Sequence, residues 1–238
     1  MLTFCLFALA ASVASAQQET SFQIRTAATG EEFTRRVESA TRLASSAWAL
    51  RALRVETGAP SSTSPPEDGA SWIDGDINTR FRQSALMQIK AALSSVASRL
   101  RAPYLQDFSL TLGSLDGQLA AVYGPLSTDT IFNANKMTER DRAGKALSDV
   151  VLSRLNAFSE LASTPNVASV GAIVAYGERD FADSGARFPR GEAVTIVMPA
   201  AIVVAYINRT LTVDDVVEKS RVTVCQLLAC QAVRPRLP

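Results

Sequence analysis

Between positions 176 and 190 the chain reads YGERDFADSGARFPR. Glu178, Asp180 and Asp183 stand there beside Arg179, Arg187 and Arg190, with Tyr176, Phe181 and Phe188 among them. Two chemistries follow from those residue types. Carboxylates in different surroundings can act as general acid and general base. Arginine forks can hold an anion through paired hydrogen bonds. The plainer reading is a long solvated hairpin whose charges pair with one another, each pair worth little. Tyr176, Glu178, Arg179, Asp180, Asp183, Arg187 and Arg190 are the candidate binding residues, and no catalytic residue is assigned.

A second stretch, SWIDGDINTR at 71–80, sets Asp74, Asp76 and Asn78 at the alternating spacing of a calcium loop. Such a loop needs Gly at its sixth position and a bidentate Glu at its twelfth. Counted from Asp74, those positions hold Thr79 and Ala85. The stretch reads instead as a helix start, with Asp74 or Asp76 accepting from the first amide groups. No metal site is expected. Asn208-Arg209-Thr210 matches the acceptor pattern for N-glycosylation, which matters only in a eukaryotic secretory route.

What the sequence lacks narrows the chemistry further. It contains no His, which removes Ser-His and Cys-His nucleophiles, His-ligated zinc and the commonest base near neutral pH. No G-x-S-x-G or S-x-x-K stretch is present, and neither is a glycine-rich phosphate loop. No cofactor is expected. The 24 basic and 23 acidic residues leave a formal net charge of +1, so nothing favours nucleic acid as a partner.

Residues 1–16 read MLTFCLFALAASVASA. An apolar run from Leu2 to Val13 leads to Ala14-Ser15-Ala16, the small-x-small pattern of a signal-peptidase site. The segment predicts export to the periplasm or the medium, with a mature chain from Gln17. Its first residues carry no Lys or Arg, which departs from the pattern; a buried helix or a retained anchor is the alternative. The run is shorter than the ~20 residues of a membrane span. No transmembrane span is expected in the mature chain.

Export leaves Cys225 and Cys230, and an oxidising compartment favours a disulfide between them. In an extended strand their Cα atoms would lie about 16 Å apart, whereas a disulfide needs them within about 7 Å. A bond therefore requires a turn across Gln226–Ala229. Two buried thiols or a redox pair are the alternatives.

The elements that must position these residues follow from periodicity. Residues 17–28 are polar and read as a flexible segment. Thr29 and Glu32 fit a capping box, and Phe33, Val37, Ala40, Ala44 and Ala47 continue as the stripe of a helix over 30–55, with Leu43 and Leu50 beside it. Its small side chains predict either close or light packing. A Pro- and Ser-rich loop occupies 58–71. Phe81, Ala85, Ile89, Leu93, Val96 and Leu100 mark a second helix. Residues 108–123 suggest a hairpin around Gly113–Gly117. Thr138 caps a third helix with the stripe Ala143, Leu147, Val151, Leu155 and Phe158. Residues 167–176, 193–198 and 222–228 are β-branched and read as strands. Two short helices fill 199–219, the first with Pro199 at its opening position and the second capped by Thr212; Ile202-Val203-Val204 leaves a strand as the alternative for the first.

The expected fold is one α+β domain over 29–238: N-terminal helices packed with a mainly antiparallel C-terminal sheet that carries short helical crossovers. The expected function is that of an exported, non-catalytic protein that binds a protein or other component of the cell envelope. The alternative is an exported enzyme using carboxylate acid–base chemistry from the 176–190 stretch.

Overall fold

The computed structural model describes residues 23–27, 29–56, 92, 99, 104–115, 118–183, 185 and 188–238. The readings for 1–16, for the loop at 58–71, for SWIDGDINTR and for Arg187 fall outside those residues, as does the second helix apart from Ala92 and Arg99.

The protein is α+β. In chain order its elements are β1 (Gln23–Ala27), α1 (Gly30–Glu56), β2 (Tyr104–Leu115), β3 (Gln118–Asn133), α2 (Glu139–Val150), a 3₁₀ segment (Leu152–Phe158) and α3 (Ser159–Ala162). They continue with β4 (Val167–Arg179), β5 (Arg190–Pro199), α4 (Ala200–Ile207), α5 (Val213–Glu218), β6 (Arg221–Cys225) and β7 (Cys230–Ala232). The strands form one seven-stranded sheet in strictly sequential order. The β1–β2 and β3–β4 pairs are parallel and the other four are antiparallel.

Parallel neighbours need a crossover over a face of the sheet. The first crossover contains α1; the second contains α2, the 3₁₀ segment and α3. Because β2 and β3 are antiparallel, the two crossovers follow strands of opposite direction while moving the chain the same way across the sheet. Crossovers of one hand, as the twist of strands requires, then place α1 and α2 on opposite faces, although the first crossover also reaches the α2 side, where Ala92 joins the core and Arg99 Nη2 meets Glu160 Oε1 at 3.0 Å. Strand alternation agrees. Val122, Ile173 and Ala193 pack with α1, whereas Tyr123, Val174, Tyr176 and Val194 pack with the α2 side.

α1 begins where Thr29 Oγ1 accepts from Glu32 N at 3.1 Å, with Glu31 and Glu32 in its positive first turn. Phe33, Val37, Ala40, Ala44 and Trp48 face the sheet; Trp48, rather than Ala47, completes the stripe. The packing is the close kind. Gly177 and Gly191 are cross-strand partners, and a Cβ on either would overlap the Trp48 ring or the Ser45 carbonyl. Thr41 and Thr195 share a buried hydroxyl–hydroxyl hydrogen bond of 2.5 Å, and Trp48 Nε1 donates to Thr128 O at 2.7 Å. Leu43 and Leu50 point away from the sheet and are exposed.

Several boundaries differ from expectation. Within the segment read as flexible, Gln23–Ala27 forms β1 through parallel pairing with Ser109–Gly113. The hairpin is present, but its ladder runs on to Leu115–Gln118. The third helix keeps its buried stripe yet ends at Val150. Arg154 leaves helical geometry (φ −131°, ψ 30°), and the chain continues as 3₁₀. Pro199 precedes α4 as its cap residue instead of opening it. The last expected strand stops at Cys225, where the chain turns back.

The two capping boxes are complete. Thr138 and Asp141 exchange side-chain and backbone hydrogen bonds at α2, and Thr212 and Asp215 do the same at α5. After β7 the C-terminal tail crosses α2: Arg236 N donates to Arg140 O at 3.1 Å, and Arg140 Nε to Arg234 O at 2.7 Å. Among the described residues no helix is long and apolar enough to cross a membrane.

Candidate functional site

The stretch expected as a loop is mostly strand. β4 runs to Arg179 and β5 starts at Arg190, with Tyr176 opposite Glu192 and Glu178 opposite Arg190. Alternation from Val174 carries Tyr176 and Glu178 onto the α2 face. Alternation from Ile196 and Val194 carries Glu192 there too. Two carboxylates and a phenol are thus delivered to the buried side of the sheet near one end.

Glu192 is fully buried and collects three donors. Arg142 of α2 gives a bidentate fork, Nε to Oε2 and Nη2 to Oε1, both at 2.7 Å. Gln226 Nε2 donates to Oε1 at 2.7 Å. Arg142 Nη1 also donates to Met137 O at 2.8 Å. Burial opposes the charge on Arg142, but the hydrogen bonds and charge of Glu192 outweigh it, and the guanidinium pKa is raised. Such a pair resists separation because either partner alone would be a buried charge.

Glu178 is 1 % exposed. Its Oε1 forms an ion pair with Arg190 Nε at 2.5 Å, although the Arg190 side chain is 77 % exposed. Glu178 Oε2, Tyr176 Oη and Arg179 Nε are buried without a hydrogen-bond partner among the described residues. The Tyr176 ring meets Phe132 edge-on, centroids 5.3 Å apart. Burial, followed by the negative charge of Glu192, pushes the phenol pKa well above its ordinary value, so the group is a neutral hydroxyl.

Asp180 and Asp183 have a different role. Asp180 Oδ1 accepts from Ala182 N and Asp183 N at 2.8 and 3.2 Å, and from Asn135 Nδ2. Asp183 Oδ1 accepts from Gly185 N at 2.8 Å. Both carboxylates shape the connection between β4 and β5, as Asp does in turns, and Glu178 alone of the three enters the buried polar group. Arg179 lies over the Phe181 ring, 5.4 Å from its centroid.

Cys225 and Cys230 form the disulfide, with Cα atoms 4.1 Å apart. Gln226 N donates to Ala229 O at 2.9 Å, which closes the required turn. Because Cys225 is opposite Ala193, this turn lies at the same end of the sheet as the 180–189 connection. The end of β3 lies there as well, with Asn133 opposite Arg179. Ile131, Phe181, Phe188, Leu227 and Leu228 are all exposed at that end.

Sequence reasoning missed Arg142, Glu192 and Gln226. The expected strand began at Ala193, one residue short of the alternating set Glu192, Val194, Ile196 and Met198. Among the described residues no group of three or more Cys, Asp or Glu side chains could hold a metal ion. The chain matches no protein-family model, no curated protein and no solved structure.

Proposed function

We propose that the protein is an exported, non-catalytic binding protein of the cell envelope that docks through one end of its sheet. The observation that carries this reading is the gathering of Ile131, Phe181, Phe188, Leu227 and Leu228, all exposed, from the end of β3 and two separate connections. Scattered exposed apolar side chains are ordinary, whereas several at one place mark an interaction surface. The Arg142–Glu192–Gln226 cluster ties α2, β5 and the β6–β7 turn together beneath that end. The disulfide suits an oxidising compartment, as the signal-like residues 1–16 suggest.

A photo-crosslinking residue at Phe188, at Leu228 and, for comparison, at exposed Arg209 tests the reading in the native envelope. Defined crosslinked products from Phe188 and Leu228 but not from Arg209 are expected. Equal labelling at all three positions, or none, would sink it.

A second reading rests on Glu178 and Tyr176. A buried carboxylate oxygen and a neutral phenol, both without partners among the described residues, are groups suited to acid–base work. Asp180 and Asp183 do not join them, which weakens this reading. Glu178→Gln would abolish any hydrolytic activity found in a substrate panel; retention of that activity would end it.

A further inference from the structure

Ile131, Phe181, Phe188, Leu227 and Leu228 are between 42 % and 89 % exposed. They come from β3, the β4–β5 connection and the β6–β7 turn, which meet at one end of the sheet. With about 150–200 Å² for a fully open side chain of this size, the five leave roughly 500–600 Å² of apolar surface in solvent. A stable interface takes about 800 Å² from each partner, and between identical chains about 65 % of it is apolar. The end therefore carries the apolar area that one copy must give to a dimer. Its Leu, Ile and Phe are core residues, and interfaces between identical chains resemble a core cut in two. The Cys225–Cys230 disulfide closes the hairpin beneath Leu227 and Leu228, so that turn needs little ordering on contact.

The charges around these side chains cancel. Among the described residues, Arg190 is ion-paired to Glu178. Lys136 and Arg179 are matched in number by Asp180 and Asp183 on the same end. A surface with an excess of one sign attracts a partner of the other sign and repels its own copy. A twofold axis brings a patch onto itself, so a patch that meets its copy must be balanced. This one is, and its bases can then face the acids of the other copy.

We infer that two copies of this chain pair through this end about a twofold axis. Phe181, Phe188, Leu227 and Leu228 form the apolar centre of the contact, and Lys136, Arg179, Asp180 and Asp183 form its rim. The inference rests on the docking reading above and names the partner as a second copy.

The test is sedimentation of the full chain over a dilution series. The parent is expected to be a dimer that dissociates on dilution. Leu227→Asp/Leu228→Asp should raise the dissociation constant about 100-fold or more, with a melting temperature that matches the parent's. Phe188→Asp, on the other connection, should act in the same direction and stands in if the first variant fails to fold. Lys136→Glu, which unbalances the rim, should weaken the dimer at low salt and recover as salt screens the repulsion. Crosslinking at Phe188 and Leu228 in a mixture of isotope-labelled and unlabelled chains should give products that join one of each. A parent that is monomeric at every concentration up to about 100 μM overturns the inference. So does a dimer that both folded variants leave intact, since its contact then lies elsewhere, residues 1–16 included. If the parent is monomeric while Phe188 and Leu228 crosslink to a different protein, the second copy falls and the docking reading stands. If the monomer gives no crosslinked product, both fall.

Discussion

Arg142 and Glu192, 50 residues apart in sequence, meet as a fully hydrogen-bonded fork and carboxylate between α2 and β5. Removing one partner strands the other charge in the core. Arg142→Met alone should cost about 3–5 kcal/mol in denaturant unfolding. Arg142→Met with Glu192→Leu should recover most of that loss, because exposed Gln226 can turn to water. A double variant as unstable as the single one would show that the pair stabilises beyond its own charges.

The disulfide closes a short loop, with a sequence separation of 5. Chain entropy for a loop of that size is worth about 2 kcal/mol. Cys225→Ser/Cys230→Ser should therefore lower the melting temperature by roughly 4–8 °C. Melting the parent with and without reductant should give a similar shift. No shift in either comparison would mean that β6 and β7 hold the turn unaided.

Gly191→Ala forces a methyl group against the Ser45 carbonyl of α1. Backbone cannot swing aside as a flexible side chain can, so a loss of about 1–3 kcal/mol is expected. Gly185→Ala meets only the Asp183 carboxylate and should change stability by less than about 0.5 kcal/mol. Equal effects at the two sites in urea titrations would contradict the close seating of α1.

Asp141 and Asp215 are held below the usual carboxylate range, first by the hydroxyls of Thr138 and Thr212 and then by the same residues' amides. A depressed folded pKa contributes stability above the unfolded value of about 3.9, and that contribution is lost as pH falls through the folded one. Thr138→Ala with Thr212→Ala should therefore flatten the acid limb of the stability curve. Tyr176 acts at the other extreme. Its raised pKa leaves stability intact below about pH 10 and drains it as pH climbs from there toward the folded value. Tyr176→Phe should remove that alkaline loss; an unchanged alkaline limb would contradict the buried placement of the phenol.

Local chemistry was legible in the sequence where one residue type has one use. Thr29, Thr138 and Thr212 announced their helices as caps, Thr29 together with Glu32 three residues on. Cys225 and Cys230 demanded a turn by distance alone. The polar cluster was less legible because it depends on three elements meeting. Glu192 looks like a surface residue until the alternation of Val194, Ile196 and Met198 is extended back to it, and Arg142 until α2 is seated on β5. The end of β4 was misread for the same reason: charged Glu178 and Arg190 suggested a loop, yet they are cross-strand partners. Gln23–Ala27 carries little strand signal of its own; β2, far along the chain, makes it one.

The sequential strand order has a consequence for assembly. Among the described residues no strand is inserted between two others, so each newly added strand finds its neighbour already at an open margin. A chain emerging from its N-terminus can extend the sheet progressively, waiting on no later segment to fill a gap. The β6–β7 hairpin, its disulfide and the tail over α2 come last. Truncation from the C-terminus should therefore peel the architecture from one side, beginning with the strap over α2 and then the cystine turn, whose sulfurs lie 3.9 and 3.8 Å from Glu38 O of α1.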